Sequence, residues 1–377
     1  MKLAHIADLH IGRKLGEYDL YEEQRDILQQ LITIFKEENI DGVMISGDVY
    51  DKNSPSEKAF SLWNDFLSDL HDLDIHVFVI SGNHDSQERL GVGHSILRKE
   101  KIHIVSDYQG KLVSVQIEDE YGPINIYMMP FIKPSFVRNV HTDYTESTHH
   151  SAVKRVLRDC EVNQDERNIL MAHQFVVSGE LEPELSDSEI GPMVGGIDSV
   201  NASLFDAFDY VALGHIHRPQ RIHKDTIRYA GTPLKYSFSE VSHKKTVPIL
   251  NITNTLEVFY RPLQSLRDVR VLEGTFDDIY LQGLEEKSDD LIHVILTDDH
   301  LSYNPIGRLR NVYPNLLTME LKNNQQNEQQ DLQRAEGILE MAPFELISTF
   351  FKQQNERSLS DEEKDYLISV LEGVDEE

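Results

Sequence analysis

The sequence predicts an α/β protein in which two stacked β-sheets lie between outer layers of helices, followed by a smaller α+β domain and C-terminal helices. Three patterns predict this class. Short β-rich runs alternate with amphipathic helical runs over residues 1–100, and short apolar strands accumulate over residues 102–213. A different mixture of strands and short helices begins near residue 245.

The alternation in the first part of the chain predicts its elements one by one. Residues 21–38 are the clearest helix candidate, since apolar side chains recur there at helical spacing. The Ser54-Pro55-Ser56 run is a typical helix start signal. We predict helices over residues 21–38, 56–73 and 86–99, and strands over residues 2–8, 42–48 and 76–81.

The next part of the chain contains short apolar runs bounded by turns, as expected of strands that are buried between layers. The predicted strands are residues 102–105, 112–117, 124–129, 169–172 and 210–213. Residues 137–151 and 180–190 have no clean periodicity, so we predict long loops there.

Changes in pattern divide the chain into four predicted regions. Residues 1–245 form the main domain, and residues 246–322 form the smaller α+β domain, which includes strands over 247–252 and 256–260. Residues 323–333 are polar and of low complexity, which indicates a linker. Residues 334–377 read as acidic, apolar-faced helices too short to fold alone.

Composition narrows the class of protein. The chain has 36 Lys and Arg against 65 Asp and Glu, a formal net charge of −29, so its surface as a whole repels nucleic acid and anionic membranes. No run approaches the roughly 20 apolar residues that a membrane span needs. Cys160 is the only cysteine, which excludes an internal disulfide and a thiolate metal site. With no export signal at the N-terminus, we expect a soluble cytoplasmic protein.

Five short segments, each following an apolar strand, carry the residue types that bind metals. They are Asp8-Leu9-His10-Ile11-Gly12, Gly47-Asp48-Val49-Tyr50-Asp51, Gly82-Asn83-His84-Asp85, His173-Gln174 and Gly214-His215-Ile216-His217. The carboxyl ends of the strands of an α/β sheet converge on one crevice, so these loops are expected to face one point. A lone histidine after a strand is usually structural, and the twelve other histidines receive no role.

The chemistry of these segments indicates two metal ions. Carboxylate, imidazole and carboxamide groups without a thiolate suit manganese, iron or zinc, and manganese is our first choice. Seven ligands are too many for one tetrahedral zinc but suit two ions ~3.5–4 Å apart that share Asp48. The predicted ligands are Asp8, His10, Asp48, Asn83, His173, His215 and His217. The sequence therefore predicts a two-metal hydrolase.

The five segments, in this order, resemble the calcineurin-like metallophosphoesterase superfamily, whose fold is a four-layer β-sandwich flanked by helices. Residues 2–12, 231–240 and 266–270 are also similar to its DNA break-repair nucleases. The resemblance implies one ion held by Asp8, His10, Asp48 and His217. It implies a second ion held by Asp48, Asn83, His173 and His215.

The resemblance also suggests roles for residues beside the ligands. His84 could protonate the leaving oxygen or stabilise charge on the phosphorane, and Asp51 could orient the His84 imidazole. Superfamily members with a tyrosine ligand carry it where Asp51 stands, and phosphoprotein phosphatases end the third motif in Glu where this chain has Asp85. Both departures favour phosphodiester substrates.

The resemblance implies DNA as the polymer that is cut, which requires basic residues near the metal loops. The candidate DNA contacts are Arg13, Lys14, Lys52, Arg89, Lys133, Arg218, Arg221 and Lys235. Each of them alone is more often a solvated surface charge. With so acidic a chain, we expect weak DNA affinity without a partner.

The family architecture implies further partners. Residues 246–322 would form a capping domain that selects DNA ends, and residues 334–377 would dock a partner ATPase. A homodimer within a heterotetramer is expected. Trp63, Phe66, Leu67 and Leu70 recur at helical spacing and could line either the dimer surface or the core.

The expected function is a metal-dependent DNA nuclease of repair and recombination. It would be a double-strand exonuclease with its ATPase partner and an endonuclease on single strands and hairpins. A small-molecule or cyclic-nucleotide phosphodiesterase and a non-catalytic scaffold are the alternatives.

Overall fold

The computed structural model describes residues 1–179, 181–189, 198–298 and 303–322, together with Ser360 and Lys364. The described residues fall into two compact units. The first comprises Met1–Val271 with Ser288–His293, and the second comprises Leu272–Lys287 with the described residues from Val294 onward. Within the described ranges, no helix combines the length and the apolar character that crossing a membrane would require.

The described residues form nineteen strands and eight α-helices. The strands are β1 (Lys2–Ile6), β2 (Lys14–Leu15), β3 (Tyr18–Asp19), β4 (Gly42–Ser46), β5 (His76–Ile80), β6 (Ile102–Val105), β7 (Val113–Asp119), β8 (Gly122–Met129), β9 (Arg167–His173), β10 (Val176–Val177), β11 (Val200–Asn201), β12 (Tyr210–Gly214), β13 (Gln220–Ile222), β14 (Lys224–Tyr229), β15 (Thr246–Ile252), β16 (Leu256–Pro262), β17 (Val269–Gly274), β18 (Leu291–Leu296) and β19 (Leu316–Leu321). The helices are α1 (Tyr21–Glu38), α2 (Glu57–Asp72), α3 (Gln87–Leu90), α4 (His94–Leu97), α5 (Pro134–Val140), α6 (His149–Arg158), α7 (Phe276–Glu285) and α8 (Pro305–Arg310).

Two six-stranded sheets form the framework of the first unit. The first sheet has the order β16-β15-β1-β4-β5-β6, and the second has the order β13-β14-β12-β9-β8-β7. The strands β1, β4, β5 and β6 run parallel, as do β8, β9, β12 and β14, while antiparallel strands complete the edges. Parallel strands bring their carboxyl ends to one edge of each sheet.

Three apolar clusters hold the layers of the first unit together. One lies between the sheets and joins Leu3, Met44 and Phe78 of the first sheet to Met128 and Met171 of the second. The other two lie on the outer faces, where helices α1 and α2 cover the first sheet and helix α6 covers the second. The predicted four-layer α/β sandwich is confirmed.

Local sequence explains how the main helices begin and end. Helix α1 ends at Asn39, which adopts a left-handed conformation with φ 52°. Helix α2 begins after Ser56, whose hydroxyl accepts a hydrogen bond from the Ala59 amide at 3.3 Å. Trp63 and Phe66 of α2 are buried in the cluster beneath the first sheet, which favours the core interpretation of that stripe.

Two predicted elements are wrong. The helix expected over residues 86–99 is broken into α3, α4 and a short 3-10 turn, and Gly93 at the break has φ 78°, which disfavours a continuous helix. The loop expected over residues 137–151 instead contains the end of α5 and the start of α6. The Thr148 hydroxyl accepts from the Ser151 amide at 3.2 Å and caps α6.

The predicted boundary between residues 245 and 246 also differs from the structure. Strands β15 and β16 belong to the first sheet, where Leu250 of β15 lies opposite Leu3 of β1. Val247, Ile249 and Leu250 are fully buried there. The local sequence pattern predicts an apolar hairpin, but it does not indicate which sheet the hairpin joins.

The second unit is an α+β structure. It contains α7, α8 and β19, and strands β17 and β18, which begin in the first unit, complete a three-stranded sheet in the order β17-β18-β19. The Arg308 guanidinium lies 4.3 Å from the centroid of the Phe276 ring, and the Tyr313 hydroxyl donates to the Ile279 carbonyl at 3.1 Å. The predicted linker (residues 323–333) and docking segment (residues 334–377) lie outside the described residues, apart from Ser360 and Lys364.

Candidate metal centre

The five predicted loops meet in the structure. They follow β1, β4 and β5 of the first sheet and β9 and β12 of the second, so the site spans the carboxyl edges of both sheets. All seven predicted ligand residues are brought together there. Asp8, His10, Asp48 and His173 are at most 2% exposed, and His217 is 3% exposed.

The loops hold their ligands in an unusual backbone conformation. Asp8, His10, Asp48 and His215 have φ values of 53°, 44°, 48° and 104°. Non-glycine residues adopt this region rarely, and such strain concentrates at functional sites. Main-chain hydrogen bonds fix two of the loops, because the Asp8 amide donates to the Gly47 carbonyl and the His10 amide to the Asp48 carbonyl, each at 3.0 Å.

Two glycines allow the loops to pack this closely. Gly47 has φ 88°, and a Cβ added there would collide with the His173 imidazole. A Cβ on Gly82 would collide with the Asp48 carboxylate. Larger residues at these positions would therefore push apart the groups that the site brings together.

One half of the cluster is formed by Asp8, His10 and His217 around Asp48. The Nε2 atoms of His10 and His217 lie 3.1 Å apart, and His10 Nε2 lies 3.8 Å from Asp48 Oδ2. Oxygen or nitrogen atoms of Asp8, His10 and Asp48 all lie within 4.8 Å of one another. The His215 amide donates to both Asp8 carboxylate oxygens at 2.9 and 3.1 Å, which orients that carboxylate.

The other half is formed by Asn83, His173 and His215, again around Asp48. The Asn83 Oδ1 atom lies 3.0 Å from His173 Nε2 and 2.9 Å from His215 Nδ1. His173 Nε2 is also 3.3 Å from Asp48 Oδ2. The other ring nitrogen of His173 contacts the Ser46 carbonyl at 2.8 Å, so it is Nε2 that faces the cluster.

Burial and charge together perturb the titration of these groups. Burial raises the pKa of Asp8 well above its usual value and lowers the pKa of His10. Burial would raise the pKa of Asp48, but the His173 imidazole outweighs it and holds this pKa below its usual range. Burial opposes protonation of His173, yet the Asp48 carboxylate raises the pKa of His173 to about 9. Both shifts favour the charged forms, an Asp48 carboxylate beside a protonated His173, and an incoming cation would replace that proton.

The donor set fits divalent metal ions. Asp8 and Asp48 are buried carboxylates, and within the described ranges neither has an ion pair with a lysine or arginine. Buried charge of this kind needs a compensating cation. Imidazole nitrogens and an amide oxygen surround the carboxylates, as suits manganese, iron or zinc. Asp48 lies between the two halves, where one carboxylate can serve two ions.

His217 is supported by a buried polar network that sequence reasoning missed. Its Nδ1 atom lies 2.7 Å from the Ser188 hydroxyl and 3.4 Å from Glu240 Oε1. The Lys245 ammonium donates to Glu240 Oε2 at 2.6 Å and to the His217 carbonyl at 2.9 Å. The charged and hydrogen-bonding neighbours, His217 foremost, hold the pKa of Glu240 low against its burial. This network orients His217 so that Nε2 faces the cluster.

Asp51 contacts His84 through its main chain and not through its carboxylate. The His84 Nδ1 atom hydrogen-bonds with the main-chain carbonyl of Asp51 at 2.8 Å. The Asp51 carboxylate instead accepts from Arg13 at 2.8 Å and lies 3.8 Å from His10 Nδ1. The backbone thus orients His84, and the His84 amide is tied to the cluster by donating to Asp48 Oδ1 at 2.8 Å.

The predicted DNA contacts differ in their surroundings. Three are paired with carboxylates: Arg13 with Asp51, Arg218 with Glu184, and Lys235 with Asp268 at 2.8 Å. Arg221 is likewise paired, with Asp225. The side chains of Lys14 and Lys52 are exposed and have no ion pair within the described part of the chain. Arg89 and Lys133 line a cavity of about 520 Å³ that reaches Asn83.

Two further residues fix the first loop and were not singled out from the sequence. The Gln24 amide donates to the His10 carbonyl at 2.7 Å and accepts from the Gly12 amide at 2.9 Å. The Tyr236 hydroxyl donates to the Leu9 carbonyl. Tyr236 and Glu240 both lie in the segment 231–240. The resemblance of that segment to the family was the sequence signal that could have indicated them.

The family matches agree with the geometry. A family model of calcineurin-like phosphoesterases matches residues 1–219, and one described as the type 5 capsule protein repressor C-terminal domain, SbcD_C, matches residues 265–355. A dimetal phosphatase from Danio rerio is 12% identical over 70% of this chain and 96% of its own, with a TM-score of 0.42. A protein of Thermus thermophilus is 12% identical over 69% of this chain and 98% of its own, with a TM-score of 0.41. Since the first family match spans more than half of the 377 residues, the chain belongs to the calcineurin-like phosphoesterase family.

Proposed function

We propose that this chain is the metal-dependent nuclease subunit of an SbcCD-type complex and hydrolyses phosphodiester bonds in DNA. The observation that carries the proposal is the convergence of seven nitrogen and oxygen donors from five loops, with Asp48 between the two halves. The match to the SbcD_C domain supports the choice of DNA among phosphodiester substrates.

The metal assignments follow the two halves of the cluster. We assign Asp8, His10, Asp48 and His217 to one ion and Asp48, Asn83, His173 and His215 to the other, with Mn²⁺ as the expected metal. The chemistry that two divalent ions would supply there is a lowered pKa of a water and polarised phosphoryl oxygens. The protein's part is to hold the phosphate in line with that water.

His84 is assigned to the leaving group. Its ring is half-buried beside the cluster, with centroids 4.9 Å from the His10 ring, and its Nδ1 atom is already engaged by the Asp51 carbonyl. This leaves Nε2 to hold a proton for the departing oxygen. Asp51 has a weaker role through its contacts with Arg13 and His10.

The C-terminal match supports an ATPase partner. We assign residues 334–377 to docking of an SbcC-type ATPase. The ATPase would supply the basic surface that this chain lacks, since its formal net charge is −29. We assign the second unit to capping, and a homodimer to the helical face where Val92 and Ile96 are 73% and 69% exposed. Double-strand exonuclease activity would need the ATPase, and the complex would act in the cytoplasm in repair and recombination.

The test is cleavage of a closed DNA hairpin by the purified chain with Mn²⁺, compared with its Asp48→Ala variant and with chelator. We expect nicking that requires both the metal and Asp48. A small chromogenic phosphodiester serves as the parallel substrate. Failure to cut DNA alone and with the ATPase, with metal shown to be bound, would refute the nuclease assignment.

A small-molecule phosphodiesterase is the second candidate. The cavity beside Asn83, of about 520 Å³, favours it because sites for small ligands span roughly 300–1,000 Å³. Cleavage of the small diester only, with the ATPase present, would select this function. A folded, metal-loaded chain that cleaves neither substrate would instead indicate a scaffold.

A further inference from the structure

The cavity beside the metal cluster has features that metal binding does not explain. It is lined by the loop after β5 and the start of α3, by Asn53 and Ser54 of the loop after β4, and by Phe131, Lys133 and Phe136 after β8. Gly82 and Asn83 connect it to the half of the cluster formed with His173 and His215. Anything held in this cavity would therefore lie next to a phosphate at the metals.

Phe131 presents an aromatic ring at the junction between the cavity and the cluster. Its ring is nearly parallel to the His215 imidazole, at 19° and 6.4 Å between centroids, and it stands edge-on to His173 at 6.1 Å. The side chain is only half-buried. It therefore offers a rigid π face beside the reacting phosphate, which is the feature that sequence-tolerant recognition of bases uses.

Lys133 is placed above that ring. Its ammonium lies 5.5 Å from the Phe131 centroid and 6.0 Å from the Phe136 centroid. The side chain is exposed, and it has no ion pair with a carboxylate within the described ranges. A cation held only by aromatic faces can move to a phosphate at small cost, since such contacts are worth about 0.5–1 kcal/mol at exposed sites.

Arg89 fixes the opposite side of the cavity. Its guanidinium donates to the Asn53 carbonyl at 2.9 Å and to the Ser54 hydroxyl at 2.8 Å. These two bonds tie the second metal loop to α3, while the side chain keeps further N–H donors. The cavity thus combines aromatic faces, the two cations, the carboxylates of Asp85 and Glu88, and several small polar side chains.

We propose that this cavity binds the nucleoside next to the scissile phosphate, with its base stacked on Phe131 and Lys133 moved to the adjoining phosphate. The proposal deepens the nuclease assignment and rests on it. A base that enters would displace the Lys133 ammonium from the ring towards the backbone of the strand. Stacking is tolerant of sequence, so the subsite would serve any unpaired nucleotide at a frayed end or hairpin loop.

The test compares two activated diesters that differ only in the group that stays on phosphorus. One is thymidine 5′-(4-nitrophenyl phosphate) and the other is methyl 4-nitrophenyl phosphate, both with Mn²⁺. We expect the wild type to have the lower KM for the thymidine ester. Phe131→Ala should raise that KM about tenfold more than it raises the KM of the methyl ester, in line with the effect of removing one base-stacking ring.

Two variants separate stacking from shape. Phe131→Trp should keep the preference for the thymidine ester, while Phe131→Leu, which keeps most of the volume without the π face, should lose it. Tyr121→Ala removes an exposed aromatic residue on the β7–β8 turn and is the matched control. Lys133→Met should reduce by about one the slope of single-strand affinity against salt.

Several results would overturn the subsite. They are no wild-type preference for the thymidine ester, an equal rise in both KM values in Phe131→Ala, or retention of the preference in Phe131→Leu. Bound Mn²⁺ is measured in each variant. If Phe131→Ala loses metal, its KM values no longer test stacking, and the KM values of Phe131→Leu decide. Failure of the nuclease assignment is a separate result, because it is the wild type's inability to cut hairpin DNA.

Discussion

The two halves of the metal cluster are supported in different ways. Behind His217 lies a buried charged network, with Glu240 and Lys245 only 0% and 5% exposed. Behind His173 lies a main-chain carbonyl, and Asn83 borders an open cavity. The first half is therefore enclosed by protein, and the second faces the space that a substrate can enter. The difference teaches that, under the proposed function, the first half would retain its ion and the second would admit the substrate.

The largest effect is expected where the halves meet. Asp48→Asn keeps the shape of the shared side chain and removes its charge, so both ions lose a ligand. We expect kcat on the small diester to fall by at least about 10³-fold, because metal catalysis contributes several kcal/mol. Asp74→Asn, at a side chain that is 87% exposed, is the control. A fall of less than tenfold would mean that Asp48 is not shared.

His84 tests the side of the site that faces the substrate. We expect His84→Gln to reduce DNA cleavage by about 10²–10⁴-fold, the usual contribution of a general acid, with both ions still bound. The loss should be smaller for a 4-nitrophenyl ester, since nitrophenolate leaves without a proton.

Asp51→Asn is the matched variant for that experiment. The Asp51 backbone carbonyl, which holds His84, remains in this variant. The fall in DNA cleavage in Asp51→Asn should therefore be well below the fall in His84→Gln. Equal losses in the two variants, or equal losses of His84→Gln on both substrates, would remove His84 from the leaving-group role.

Glu240 tests the enclosed half. Glu240→Gln keeps the volume and removes the charge that orients His217, so we expect about 10–100-fold weaker binding of one Mn²⁺, measured by calorimetry. The second ion should bind as in the wild type. The exposed Glu257→Gln is the control.

Stability has to be separated from positioning in that variant. Glu240→Gln leaves the Lys245 ammonium buried without its carboxylate, which is destabilising. The double variant Glu240→Gln with Lys245→Met removes both charges and should recover thermal stability without recovering metal affinity. If affinity returns along with stability, the network acts through folding alone.

The smallest effect concerns the far end of the strand that carries His173. Arg167 at the start of β9 donates to Asp119 at 2.5 and 3.1 Å and holds the pKa of that carboxyl below its usual range. A lowered pKa stabilises the folded state above the ordinary value near 3.9, and this contribution is lost as the pH falls through the folded pKa.

Asp119→Asn should therefore cost about 1–3 kcal/mol of unfolding free energy at pH 7. The difference from the wild type should shrink as the pH falls below about 4. Urea titrations at pH 7, 4 and 3 measure this. A constant difference across these pH values would contradict the charge-based explanation, and altered Mn²⁺ affinity would contradict the independence of the two ends of β9.

The ligand loops were predictable because their signals are local. A carboxylate shortly after a buried strand, as at Asp8 and Asp48, indicates both the chemistry of the site and its place at the carboxyl edge. Their convergence across two sheets required only the α/β pattern. The four-layer architecture followed from the same alternation of strands and helices.

The features that were not predicted depend on long-range packing, which the local pattern of a single sequence does not indicate. Glu240 acts on His217 from 23 positions away, and its burial is not readable from its neighbours. The hairpin β15–β16 was assigned to the wrong domain because pairing with β1 is a tertiary choice. The orientation of His84 by a backbone carbonyl has no sequence signature at all.

The most direct test of the account counts the metal ions. Equilibrium dialysis of the purified chain against Mn²⁺, followed by elemental analysis, should give two ions per chain for the wild type. Asn83→Ala should keep one ion in the enclosed half. A wild-type chain that binds one ion or none at saturating Mn²⁺ would contradict the two-metal centre and the nuclease mechanism built on it.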